Sequence, residues 1–414
     1  MALHILRKAL KHTIINKSMN KNLLAIILLS TGLIACSSTD DEEEEGIVIA
    51  ELVSIDNQFT PKVLWEESVG SGVDDYFSRI KPTIAYGKVF SASREGEVVA
   101  FDAITGKQQW QIDLRNVDEE ASFFSAKKSA LLSGGPIAGI NKVFIGSEHG
   151  DVFALAEDTG DITWKTKIKG EVIAAPALDD GMLVVNTASG ILKAFNASSG
   201  DEEWQIEQNV PPLSLRGISS PVIASGGVVV GNANGSINVY ILAQGQEGWT
   251  AEIGEPTGST EFERVIDVDS TPVIFGDKIY TISARGNLAA VDLRTGRILW
   301  KRQYSSHRQL SISGNTIFLT DVNGHVYAID RIEGLERWSN LALTNRGVTG
   351  PAVVGDYIVV GDFEGYLHWM SQETGEIVAR VEADSSGIYS TPTVAKDILY
   401  VQSRDGDLQA IKTQ

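Results

Sequence analysis

The side chains able to do covalent or acid–base chemistry are few and scattered. Cys36 is the only thiol, so no disulfide forms within the chain. His149, His307, His325 and His368 fall in different segments, without the short spacings that put two imidazoles on one metal. Asp321-Val322-Asn323-Gly324 opens like a calcium loop but lacks the later glutamate, and its glycine sits at a turn position that recurs along the chain. Neither a Gly-x-Ser-x-Gly elbow nor a phosphate-binding glycine loop occurs. Two chemistries remain. One is modification of Cys36, which follows Leu33-Ile34-Ala35. The other is non-covalent. Pro211-Pro212-Leu213-Ser214-Leu215-Arg216-Gly217 sets two leucines on one side of an extended run, followed by a cation, and Val265-Ile266-Asp267-Val268-Asp269-Ser270 sets two carboxylates on one side of another. A charge-assisted hydrogen bond from Arg216 to Asp267 or Asp269 would lock the two runs together. Leu213 and Leu215 would then form an apolar knob suited to a protein partner. The same residues also suit a plain structural role, with the leucines packing a loop and the carboxylates capping a turn.

The elements that carry these runs are repeats. Units begin at Pro82, Pro136, Pro176, Pro221, Pro272, Leu310, Pro351 and Pro392. Each has a glycine fourteen residues on, from Gly96 in the first to Gly406 in the eighth, and seven have another ten residues further, from Gly106 to Gly375. Six then place a tryptophan four residues later: Trp110, Trp164, Trp204, Trp249, Trp300 and Trp338, with Ala379 at that position in the seventh. Glycines at fixed offsets mark hairpin turns, so each unit predicts four short strands. In the fifth these are Ser270–Phe275, Lys278–Ser283, Leu288–Leu293 and Ile298–Gln303. The fold class expected is all-β: an eight-bladed propeller of four-stranded antiparallel blades over residues 59–414. The eighth unit has only three strands before Gln414, and Val63-Leu64-Trp65 is available to complete it and close the ring, removing exposed edges. The longest inserts between blades, 111–135, 205–220 and 250–271, are outer-to-inner connections that emerge on one face, where binding usually lies.

The first 35 residues hold five basic and no acidic side chains; without them the balance is 30 basic to 54 acidic. Such a surface argues against a nucleic-acid backbone as partner. Residues 1–35 read as a secretory signal, with Met19 an alternative start and an apolar run, Leu23–Leu29, too short to span a membrane. Leu33-Ile34-Ala35-Cys36 resembles the bacterial lipoprotein box. That resemblance implies cleavage before Cys36, its acylation, and sorting to the outer membrane given Ser37. Residues 36–58, with the acidic run 40–45, are expected to act as a tether.

The Ala-x-Asp-x-x-Thr-Gly-x-x-x-Trp pattern, seen at Ala290–Trp300, resembles the tryptophan-docking repeat of quinoprotein-type propellers. Together with the lipoprotein box, Leu-Ser-Leu-Arg-Gly and Asp-Val-Asp-Ser-Thr-Pro, the chain resembles the BamB family, the propeller lipoproteins of the outer-membrane β-barrel assembly machinery. The resemblance implies a non-catalytic periplasmic role without a cofactor. It also implies that Leu213, Leu215, Arg216, Asp267 and Asp269 bind the POTRA domains of the barrel subunit BamA, with nascent barrels as further partners. Two rivals share the scaffold: a quinone-dependent dehydrogenase, whose family often has an adjacent cysteine pair, and a scaffold that binds peptides by strand addition to a blade edge.

Overall fold

The protein is described by a computed structural model covering residues 47–413, apart from 77, 116, 118–127, 216, 257–258 and 261–263. Its strands form eight four-stranded antiparallel sheets. Seven are consecutive in sequence, spanning 83–113, 132–167, 177–207, 222–252, 273–303, 311–340 and 352–382. The eighth combines 393–412 with Lys62–Ser68, which pairs antiparallel with Asp407–Lys412 as the outermost strand. Inner strands of neighbouring blades touch from blade six through blades seven, eight and one round to blade four, and that of blade one meets those of blades two and eight. The ring is an eight-bladed β-propeller closed by its N-terminal strand.

Local chemistry sets the strand limits. Blade five runs Val273–Phe275, Lys278–Ile282, Asn287–Asp292 and Ile298–Gln303. Its inner strand starts after Pro272 rather than at Ser270, because proline has no N–H for the ladder. Where the repeat carries an aspartate, at Asp102, Asp292 and Asp330, it organises the hairpin that follows: Asp102 Oδ1 accepts from the backbone N–H of Thr105 at 2.8 Å and from its hydroxyl at 2.8 Å. Gly106 then turns at φ 71°, where a Cβ would also lie 2.7 Å from the Trp65 ring of blade eight. The same stacking recurs around the ring, with Trp110 over Gly160, Trp204 over Gly245 and Trp338 over Gly375. Trp65 Nε1 donates to Ala103 O at 3.1 Å and Trp204 Nε1 to Leu242 O at 2.7 Å. The core therefore lies between blades. At the closing seam Trp65, Val99, Phe101, Tyr400 and Leu408 form one buried cluster.

Blade seven inverts the rule. Trp369 faces Ala379 across the sheet, whereas Ala290 faces Trp300 in blade five. The tryptophan has moved one strand inward. Because the outer strand of blade eight is Lys62–Ser68, no hairpin joins its third and fourth strands, and the turn glycine that would receive a blade-seven indole is missing. Trp369 is fully buried and donates Nε1 to Thr413 Oγ1 at 3.2 Å. Phe59 stands edge-on to it at 6.5 Å between ring centroids.

The compact body begins at Ile47, ahead of the boundary expected at residue 59. Residues 47–58, expected as part of the tether, lie along blades six and seven. Arg346 Nη1 donates to Ala50 O at 3.0 Å, Arg380 Nη1 to Val53 O at 2.8 Å, and Gln58 N to Val378 O at 2.9 Å. Asp362, buried beneath, accepts from Arg346 Nε at 2.8 Å and from His368 Nε2 at 3.0 Å. Arg380 Nε donates to His368 Nδ1 at 3.1 Å, so that nitrogen is the acceptor and the His368 proton sits on Nε2. Burial pushes Asp362 up, but the bonds from His368 and Arg346 outweigh it and hold its carboxyl below the usual range. The network fixes residues 47–58 to the ring.

Candidate functional site

Two connections, from blade three to four and from blade four to five, meet on one face. The second carries Asp267 and Asp269. Residues 265–270 are all buried, on both sides of the extended run, so strand-like alternation does not apply there. Val268 N donates to Asn232 O at 3.0 Å, and Ala284 N to Asp267 O at 2.8 Å. Gly231 admits the Val268 backbone, whose carbonyl would lie 2.4 Å from a Cβ. The run is thus wedged between a blade-four turn and blade five, and the first connection lies over it.

The carboxylates hold that first connection. Asp267 Oδ2 accepts the Leu215 backbone N–H at 2.7 Å. Asp269 lies against Gly217, where any side chain would collide with it, a Cβ standing 2.0 Å from Oδ2. Leu213 and Leu215 project outward, 46% and 37% exposed. The structure therefore joins Leu215 to Asp267 and the following Gly217 to Asp269, with the leucines outside and the carboxylates inside. Asp267 and Asp269 are 0% and 3% exposed and sit behind the leucines, where the expectation had all five residues meeting a partner. Their position makes them supports for the leucines. Arg216 lies outside the described residues, as do Cys36, the signal segment and part of the insert before blade two.

Burial governs the electrostatics. It pushes the Asp267 carboxyl up to about 6, with the Leu215 hydrogen bond pulling the other way. It pushes Asp269 up to about 7, with Arg79 opposing and Asp267 adding to the rise. Asp267 Oδ1 has no hydrogen-bond partner among the described residues. Arg79 is the supporting residue that sequence reasoning misses. From the connection entering blade one it donates Nη1 to Ile218 O and to Asp269 O, both at 2.8 Å, stitching the two loops from behind. It lies 190 positions from Asp269, in no motif, and nothing in the sequence signals it. The hollow under the leucine loop is small, about 60 Å³. Among the described residues no group of three or more His, Cys, Asp or Glu is placed to hold a metal ion.

These features define an eight-bladed, tryptophan-docked β-propeller that displays an apolar loop, braced by buried carboxylates, on the face of its blade connections. Its sequence matches the profile of the family described as outer membrane protein assembly factor BamB over residues 49–139, 125–340 and 342–414. It is 44% identical over 395 residues to the protein of that name from Shewanella oneidensis, covering 95% of this chain and 99% of the relative. The Escherichia coli K12 protein of the same name is 39% identical over 391 residues, covering 94% and 99%. The chain belongs to the BamB family. The crystal structure of BamB from Moraxella catarrhalis is similar with a TM-score of 0.75 at 26% identity, covering 85% of this chain and all of that one. A quinohemoprotein alcohol dehydrogenase from Comamonas testosteroni superposes with a TM-score of 0.63 at 14% identity, covering 85% and 76%, a likeness of fold alone.

Proposed function

We propose that this chain is a non-catalytic, lipid-anchored subunit of the outer-membrane β-barrel assembly machinery. It docks on the POTRA domains of BamA through Leu213, Leu215 and Arg216, with Asp267 and Asp269 supporting them from beneath. Acylation of Cys36 anchors it to the outer membrane, propeller in the periplasm, where it assists folding and insertion of nascent barrels. The relatives named above are called outer membrane protein assembly factors, which supports the assembly role.

The observation that carries the docking surface is the pairing of exposed leucines with a rigid base. An exposed apolar tip on a mobile loop must be ordered on binding, at about 0.5–1.5 kcal/mol per immobilised side chain. Here the Leu215 N–H is already held by a buried carboxylate and the chain beyond it is fixed by Arg79. Order is in place before the partner arrives, so apolar burial converts more fully into affinity.

Co-purification of BamA tests the surface. Leu213→Ala and Leu215→Ala should each reduce capture roughly tenfold, equivalent to about 1.4 kcal/mol for a partly buried anchor. Gly217→Val should abolish it by forcing the loop off Asp269. Circular dichroism should match wild type for the leucine variants. Full capture by all three variants would remove the surface from this face.

A further inference from the structure

A second concentration of charge lies on the propeller axis, behind the loops that carry the leucines. The axial cavity, of about 270 Å³, is lined by residues that open the inner strands of most blades. Arg79 and Lys81 enter it ahead of blade one, and Arg308 ahead of blade six. These cations are sunk deep in the protein yet keep part of their surface on the cavity. Lys81 and Arg308 bond to neutral oxygens: Lys81 Nζ to Gln309 Oε1 at 2.8 Å, and Arg308 to Tyr389 O and Gly347 O at 3.4 Å each. Among the described residues Lys81 and Arg308 form no ion pair. The carboxylate acting on Arg79 is Asp269, itself pushed up to about 7.

The groups repel one another. Burial lowers Lys81, and Arg79 lowers it further. Arg308 is pushed down to about 10 by burial and by Arg79. His307 is pushed down to about 4 by burial, then by Arg308 and Arg79, so it is neutral at physiological pH. Like charges held together in a low-dielectric site are costly. Gathering three cations into one cavity is unusual in a chain with formal charge −19, and a counter-ion would relieve the repulsion.

We propose that the axial cavity binds a small oxyanion of the phosphate class between Lys81, Arg308 and Arg79. Cations arrive from two sides of the ring, and the hydroxyls of Ser390 and Thr391 line the same cavity. Tetrahedral oxygens accept from several directions at once, whereas a planar carboxylate is satisfied by donors in one plane. The volume corresponds to about nine waters, enough for phosphate or pyrophosphate with residual solvent.

Thermal unfolding and calorimetric titration of the full chain in detergent test the site, using inorganic phosphate and pyrophosphate against sodium chloride of equal ionic strength. Phosphate should raise the midpoint above the chloride control and bind at one site per chain. Lys81→Gln and Arg308→Gln should each weaken binding roughly tenfold or more, as expected for a lost charged hydrogen bond. In anion-free buffer both variants should unfold no earlier than wild type, since each relieves repulsion. A phosphate effect in wild type no larger than that of chloride, or binding undiminished in both variants, overturns the proposal.

Discussion

Replacing Asp267 by Asn tests how the leucine loop is supported, through pH. The Asp267 carboxyl rises from an ordinary 3.8 to about 6 on folding, and Asp269 to about 7. Between pH 4 and these values the folded chain holds more protons than the unfolded chain. Stability therefore falls as pH rises through that window, the reverse of a salt-bridged carboxylate. Integrated from pH 5 to pH 8, Asp267 removes roughly 1 kcal/mol and Asp269 roughly 3 kcal/mol, part of the latter from the charge on Asp267. Asn keeps an acceptor for the Leu215 N–H but carries no charge. It should match wild type closely at pH 5 and be more stable at pH 8 by about 1 kcal/mol, after the loss of a charge-assisted bond partly offsets the gain. Urea midpoints of both proteins at the two pH values measure this, and the rest of the acidic surface cancels in the difference. A variant-minus-wild-type difference that stays flat, or that favours wild type at pH 8, would refute a desolvated Asp267. Its loop should still capture BamA, whereas Asp267→Ala, lacking the acceptor, should capture less.

Trp369→Ala should cost about 3–5 kcal/mol by urea unfolding, as for other buried tryptophans. Adding Ala379→Trp, which restores the arrangement of the other blades, should recover little, because blade eight offers no turn glycine to receive the indole; full recovery would show that volume alone matters. Asp362→Ala should cost about 3–5 kcal/mol by leaving Arg346 and His368 buried without their shared acceptor, while Glu364→Ala, on the half-exposed side of Arg346, should cost under about 1 kcal/mol. Equal costs for the two would mean that the network adds nothing beyond its surface pair.

The repeat spacing of proline, glycine and tryptophan determined the architecture without any tertiary information. A hairpin needing positive φ at a fixed offset admits little besides glycine, and a tryptophan four residues later needs a neighbouring turn to cover it. The N-terminal strand was legible by the same count, since seven units had four strands and the eighth had three. Leu213 and Leu215 were legible as an apolar tip. Several features were decided by the folded ring alone. Asp267 and Asp269 read as surface carboxylates because period-two alternation assumes one wet face, whereas their run is covered on both. Trp369 and Ala379 exchanged places because ring closure removed one hairpin. Residues 47–58 joined the body because cations on blades six and seven meet their backbone carbonyls. Arg79 reached Asp269, and joined Lys81 and Arg308 on the axis, because a closed ring brings the starts of distant inner strands together. Local sequence encodes turns and strand faces; which buried charges face one another follows from how the ends of the ring meet.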